Sequence, residues 1–114
     1  MNRTEYLLTC LMEECAEVQQ MASKCLRFGF GNHHPDAPAR KTNASVLQRE
    51  LKDFRAIEFM LAKDGCIEFD SHADGWTLEK KIKKVEHYMG VSRECGTLIE
   101  AALEAQKGAD HDGD

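Results

Sequence analysis

The chain has 114 residues, enough for one domain with its own core and too few for two, with 42% hydrophobic and 31% charged residues. Twenty acidic against fifteen basic side chains give a formal net charge of -5. That balance excludes the broad basic footprint of a nucleic-acid binder, so a polyanionic ligand would have to be held locally, by a few cations or a metal ion. No apolar run approaches the length that crosses a bilayer, and the opening MNRTEYLLTCLMEE meets carboxylates too soon for an export signal. The expectation is a cytoplasmic protein with neither a membrane nor a nucleic acid as partner.

Thr4 to Arg27 reads as one long amphipathic helix, because Leu8, Leu11, Cys15, Val18, Ala22 and Leu26 recur at three- and four-residue steps. Phe28-Gly29 and Gly31 close it, and 32–42 is a loop that holds both prolines, Pro35 and Pro38. A second helix is expected from Ala44 or Ser45 to Lys63, with Asn43 as its N-cap or Ser45 and Gln48 as a competing capping box. Asp64-Gly65 ends it, and a connector runs on to Gly75. Thr77 caps a third helix to Met89 with Leu78, Ile82, Val85 and Met89 as its inner stripe, and Gly90 breaks it. Ser92 then caps a fourth helix, Arg93 to Lys107, with Leu98, Ala102 and Leu103 inward. The tail at 108–114, GADHDGD, has nothing to pack and is expected to be disordered, which leaves 1–107 as the domain. The class is all-α.

The five cysteines (Cys10, Cys15, Cys25, Cys66 and Cys95) are odd in number and form no CxxC. Three fall in the first helix, where Cys acts as a small apolar residue, and reduced thiols are the simplest reading. Neither they nor the histidines have zinc-ligand spacing.

The chemistry is carried by carboxylates. On helical wheels of about 100° per residue, Glu14 and Glu17 flank the apolar stripe of the first helix near Leu7, Cys10 and Met21. On the second, Val46, Leu47, Leu51, Phe54, Ile57 and Leu61 form the inner face, with Glu50 near its middle and Asp53 at its border. A carboxylate in an apolar stripe has to be paired, protonated or metal-bound. Glu14, Glu17 and Glu50 have no Lys or Arg three or four positions away, and only Asp53 has one, Arg49. Glu-rich helix faces are ordinarily solvated surface, but the position of Glu50 among Leu47, Leu51 and Phe54 argues against that here. Four oxygen donors brought together by two packed helices suit a hard divalent cation, Mg²⁺ or Mn²⁺.

Glu13-Glu14-Cys15-Ala16-Glu17 followed by Glu50-Leu51-Lys52-Asp53 resembles the EExxE and ExxD signatures of the MazG-like all-α nucleoside triphosphate pyrophosphohydrolases. The likeness covers the first two helices, a little over half of the chain. It implies Glu14, Glu17, Glu50 and Asp53 as metal ligands and catalytic residues, with Glu13 supporting them. It also implies a four-helix MazG-like bundle. Four short helices with an acidic pocket on the inner face are too few to complete a core alone, so a homodimer or a tetramer formed as a dimer of dimers is expected. The reaction implied is Mg²⁺-dependent cleavage of an NTP or dNTP to the monophosphate and pyrophosphate, with Mn²⁺ as a substitute ion. The loop from Phe28 to Asn43 makes the gap between the motifs longer than in many members, so substrate choice does not carry over.

Phosphate-binding candidates are Lys24 and Arg27 on the first helix, and Lys81, Lys84 and Tyr88 on the third, where KKIKK resembles the family's basic positions. Each taken alone reads better as solvated surface, and the KKIKK cluster as a whole is harder to assign to surface alone. His33, His34 and Asp36 fit a loop role better than a site, and Phe30 and Trp76 fit packing better than base stacking. The rival expectation is a non-catalytic helical interaction protein whose acidic helices form a dimer or partner interface.

Overall fold

The computed structural model describes residues 1–70 and 73–99. It contains three helices, α1 (Arg3–Phe28), α2 (Asn43–Lys63) and α3 (Leu78–Glu94), and no strand among the described residues beyond an isolated bridge between His33 and Thr42. Among the described residues no helix is long and apolar enough to cross a membrane. The chain divides into two compact units, Met1–Asp70 and a second whose described residues are 73–99.

The first unit is an antiparallel helical hairpin. α1 begins in a capping box: the Asn2 side chain accepts from the Glu5 N–H (2.9 Å), and the Asn2 N–H donates back to Glu5 Oε2 (3.0 Å). It ends at Gly29, whose φ of 91° lies where a side chain would be strained. Thr42, rather than Asn43 or Ser45, caps α2, its hydroxyl accepting from the Ser45 N–H at 3.2 Å. Asn43 instead becomes the first helical residue. It is buried, and its amide donates to the Gly29 carbonyl at 2.9 Å, tying the start of α2 to the end of α1. α2 stops where Gly65 takes φ 80° and the Cys66 N–H returns to the Leu61 carbonyl (2.9 Å). Arg3 Nε reaches Asp64 Oδ2 at 2.6 Å and joins the other end of the hairpin.

Between those ends both helices present a seam at alternating steps of four and three. On α1 it is Leu7, Leu11, Glu14, Val18, Met21 and Cys25. On α2 it is Asn43, Leu47, Glu50, Phe54, Ile57 and Leu61. All twelve are buried or half-buried. Full burial is confined to the two ends, Leu7, Leu61 and Ala62 at one and Met21, Cys25 and Asn43 at the other.

This corrects the phase expected for α1. Leu8, Cys15, Ala22 and Leu26 are exposed, Leu26 at 88%, and on α2 Leu51 is 40% exposed. The sequence carries two adjacent four-three stripes on α1, and the one that packs is the one interrupted by Glu14.

The second unit corrects the third and fourth helices. α3 runs through Gly90 to Glu94, because a helical glycine costs only about 1 kcal/mol relative to alanine and does not by itself end a helix. The stop comes at Gly96 (φ 79°), with the Gly96 N–H on Arg93 O (3.0 Å) and the Thr97 N–H on Ser92 O (2.9 Å). Ser92 therefore closes α3 and caps no new helix, and 95–99 is non-helical. The rest of the expected fourth helix, with Ala102 and Leu103, and the 108–114 tail lie outside the described residues. Thr77 caps α3 as expected, its hydroxyl accepting from the Lys80 N–H at 3.1 Å. None of the residues of α3 is buried: Leu78, Ile82, Val85 and Met89 are all 41–66% exposed.

Candidate metal centre

The hairpin brings the two acidic motifs together at the middle of the seam. Carboxylate oxygens of Glu14, Glu50 and Asp53 lie within 4.8 Å of one another, and all three residues are half-buried. Glu17 stands one turn beyond Glu14, exposed and outside the three that converge, and its carboxylate helps to raise both Glu50 and Glu14. Glu13 is exposed beside the cluster and adds negative potential at Glu14.

The arrangement is electrostatically incomplete. Glu14 Oε2 and Glu50 Oε2 are buried and have no hydrogen-bond partner among the described residues. Loss of solvent, then the charges of Glu17 and Asp53, hold Glu14 above the ordinary carboxylate range. Glu50 is held up by its hydrogen bond with Glu17 first, then by loss of solvent and by the neighbouring carboxylates. Arg49, on an exposed side chain, places its Nε 3.7 Å from Asp53 Oδ1. Such a contact is worth little in water and does not reach the buried oxygens.

A hard divalent cation fits this set. The donors are all carboxylate oxygens, which suits Mg²⁺ or Mn²⁺, and among the described residues the group includes no nitrogen or sulfur ligand of the kind zinc prefers. Two orphaned oxygens in an apolar seam are what a bound ion would satisfy.

The candidate phosphate ligands separate. Lys24 is half-buried and lines a cavity between the end of α1 and the 29–42 loop. Arg27 lays its guanidinium over the Phe28 ring, 4.7 Å from its centroid. Lys81, Lys84 and Tyr88 share one concave face of the second unit with Val85 and Met89. His33 Nδ1 bonds to the His34 carbonyl (2.9 Å), and His34 Nδ1 accepts from the Asp36 N–H (3.1 Å). These bonds give both histidines a role in loop structure. Phe30 and Trp76 are 62% and 50% exposed. Reading by helix periodicity missed Lys41, Asn32 and Asn43, which also line the cavity; they lie in or beside a loop, where periodicity carries no signal.

Comparison with protein-family models, curated proteins and solved structures gives no match.

Proposed function

We propose that the protein is a Mg²⁺-dependent nucleoside triphosphate pyrophosphohydrolase, converting an NTP or dNTP and water to the monophosphate and pyrophosphate. The observation that carries this is the pair of buried, unpartnered oxygens on Glu14 and Glu50, facing Asp53 and Glu17 from two helices. The EExxE and ExxD motifs, and their resemblance to the MazG-like family, add to it. Glu14, Glu17, Glu50 and Asp53 would hold the ion. When bound, Mg²⁺ neutralises phosphate charge and makes water easier to deprotonate. Glu13 adds a carboxylate at the cluster's edge, suited to orienting water. Lys24 supplies a cation on the hairpin itself, two turns past Glu17, to meet the phosphate farthest from the cluster.

Assembly as a homodimer or tetramer belongs to the same proposal, since the uncovered stripe of α3 and Leu8, Met12 and Leu26 of α1 offer apolar surface to a second chain. That surface also favours a second reading, a non-catalytic helical interaction protein. The two separate on pyrophosphate release from a panel of ribo- and deoxyribonucleoside triphosphates, with Mg²⁺ and with EDTA. The enzyme reading expects metal-dependent release with the matching monophosphate. It also expects a loss of at least about a hundredfold in Glu50→Gln, since even residues that only support metal ligands cost up to that factor. Silence across the panel from folded protein, with no stabilisation by Mg²⁺, would leave the interaction reading.

A further inference from the structure

A cavity of about 850 Å³ opens between the last turns of α1, the 29–42 loop and the first turn of α2. Met21 in its wall is one turn past Glu17, and Val46 is one turn before Glu50, so it begins ~6 Å along the helices from the carboxylate cluster. Its volume is in the range of small-molecule sites.

The wall differs in kind from the cluster beside it. Met21, Phe28, Pro35 and Val46 give it apolar surface, and Lys24 and Lys41 give it positive charge. It contains no carboxylate. The charge does not come from the start of α2, where every free N–H is used: Asn43 donates to Asn32 O, Ala44 to Phe30 O, and Ser45 and Val46 to Thr42. Asn32 and Asn43 each place an amide in the lining, with one N–H of each donated to the carbonyls of Phe28 and Gly29. Lysine donors, side-chain amides and an apolar wall form the combination that binds a planar heterocycle by its face and its edge.

We infer that this cavity is the nucleoside subsite of the protein, taking base and sugar while the phosphates extend toward Glu17 and Glu50. The 29–42 loop then sets base preference. The assignment rests on the nucleotide reading of the carboxylate cluster, and its test reads the two separately. AMP, GMP, CMP and UMP are titrated in EDTA by calorimetry, and tripolyphosphate, which has no nucleoside, is titrated with Mg²⁺. Ala37→Phe fills the cavity from its half-buried loop position, and His34→Ala removes an exposed part of its wall.

At least one monophosphate is expected to bind without metal. In Ala37→Phe its affinity should fall roughly tenfold or more, the scale of a misfitted apolar contact, while tripolyphosphate binding is unchanged. His34→Ala, which leaves the helices untouched, should weaken the same monophosphate if Ala37→Phe does not fold. Binding of none of the four monophosphates, or equal binding to wild type and folded variants, overturns the assignment. Cavity-dependent monophosphate binding without hydrolysis of any triphosphate upholds the subsite and overturns the pyrophosphohydrolase.

Discussion

The hairpin of α1 and α2 and the unit that holds α3 are built from the same local signals and end up in different states. Both have hydroxyl caps, Thr42 and Thr77, and both helices stop at a glycine in the left-handed region, Gly65 and Gly96. Both carry an apolar stripe. In the hairpin the stripes meet and are buried at their ends, whereas on α3 no residue is buried. Caps and glycines decide where a helix begins and ends; only a partner surface decides whether its stripe contributes to stability.

Truncation should expose that difference most strongly. Leu61→Ala, at a buried seam position, is expected to cost about 2–5 kcal/mol in chemical denaturation. Ile82→Ala, at a stripe position that is 46% exposed, is expected to cost less than about 1 kcal/mol in dilute protein. A cost for Ile82→Ala that grows with protein concentration would instead place the α3 stripe in an interface between chains.

The second contrast is in pH dependence, and it lies in the hairpin. Glu14 and Glu50 are raised above their ordinary value of 4.5, so from there upward the folded metal-free chain binds more protons than the unfolded one. Their contribution is complete below that value and is lost as pH rises through the raised values. Thermal melts in EDTA should therefore shift downward from acidic to neutral pH. Mg²⁺ should abolish the shift, and Glu50→Gln should shrink it. A melting temperature that Mg²⁺ leaves unchanged at neutral pH would count against an ion between these carboxylates.

The smallest effect is expected in α3. Gly90→Ala places a methyl in ordinary contact with Arg93, 3.7 Å away, and should add up to about 1 kcal/mol of helix stability, read as increased helicity on partial denaturation. A loss of helicity would mean that the glycine serves a close approach from elsewhere.

The limits of α1 and the start of α3 were legible to within a residue or two, because Asn2, Gly29 and Thr77 act locally. The phase of α1 was not. Leu8, Cys15, Ala22 and Leu26 make an unbroken small-to-apolar stripe, and the true seam contains Glu14, which every measure of apolarity counts against it. On α2 the opposite held: Val46, Leu47, Phe54, Ile57 and Leu61 outweigh one charge, and Glu50 could be placed in the face despite it. A residue set into a seam for its chemistry thus hides the seam that carries it. The cavity residues Asn32 and Lys41 were illegible for another reason, since their position depends on the Asn43–Gly29 tie and on the backbone bonds of Asn43 and Ala44 across the loop.

The distribution of burial along the hairpin has a mechanical consequence. Leu7, Leu61 and the Arg3–Asp64 pair fasten one end, and Met21, Cys25 and Asn43 fasten the other, while like charges sit at midspan. Repulsion between Glu14 and Glu50 therefore cannot be relieved by splaying the helices apart from a tip. It instead loads them at the centre, like a beam held at both ends, and a cation at that point would take the load away.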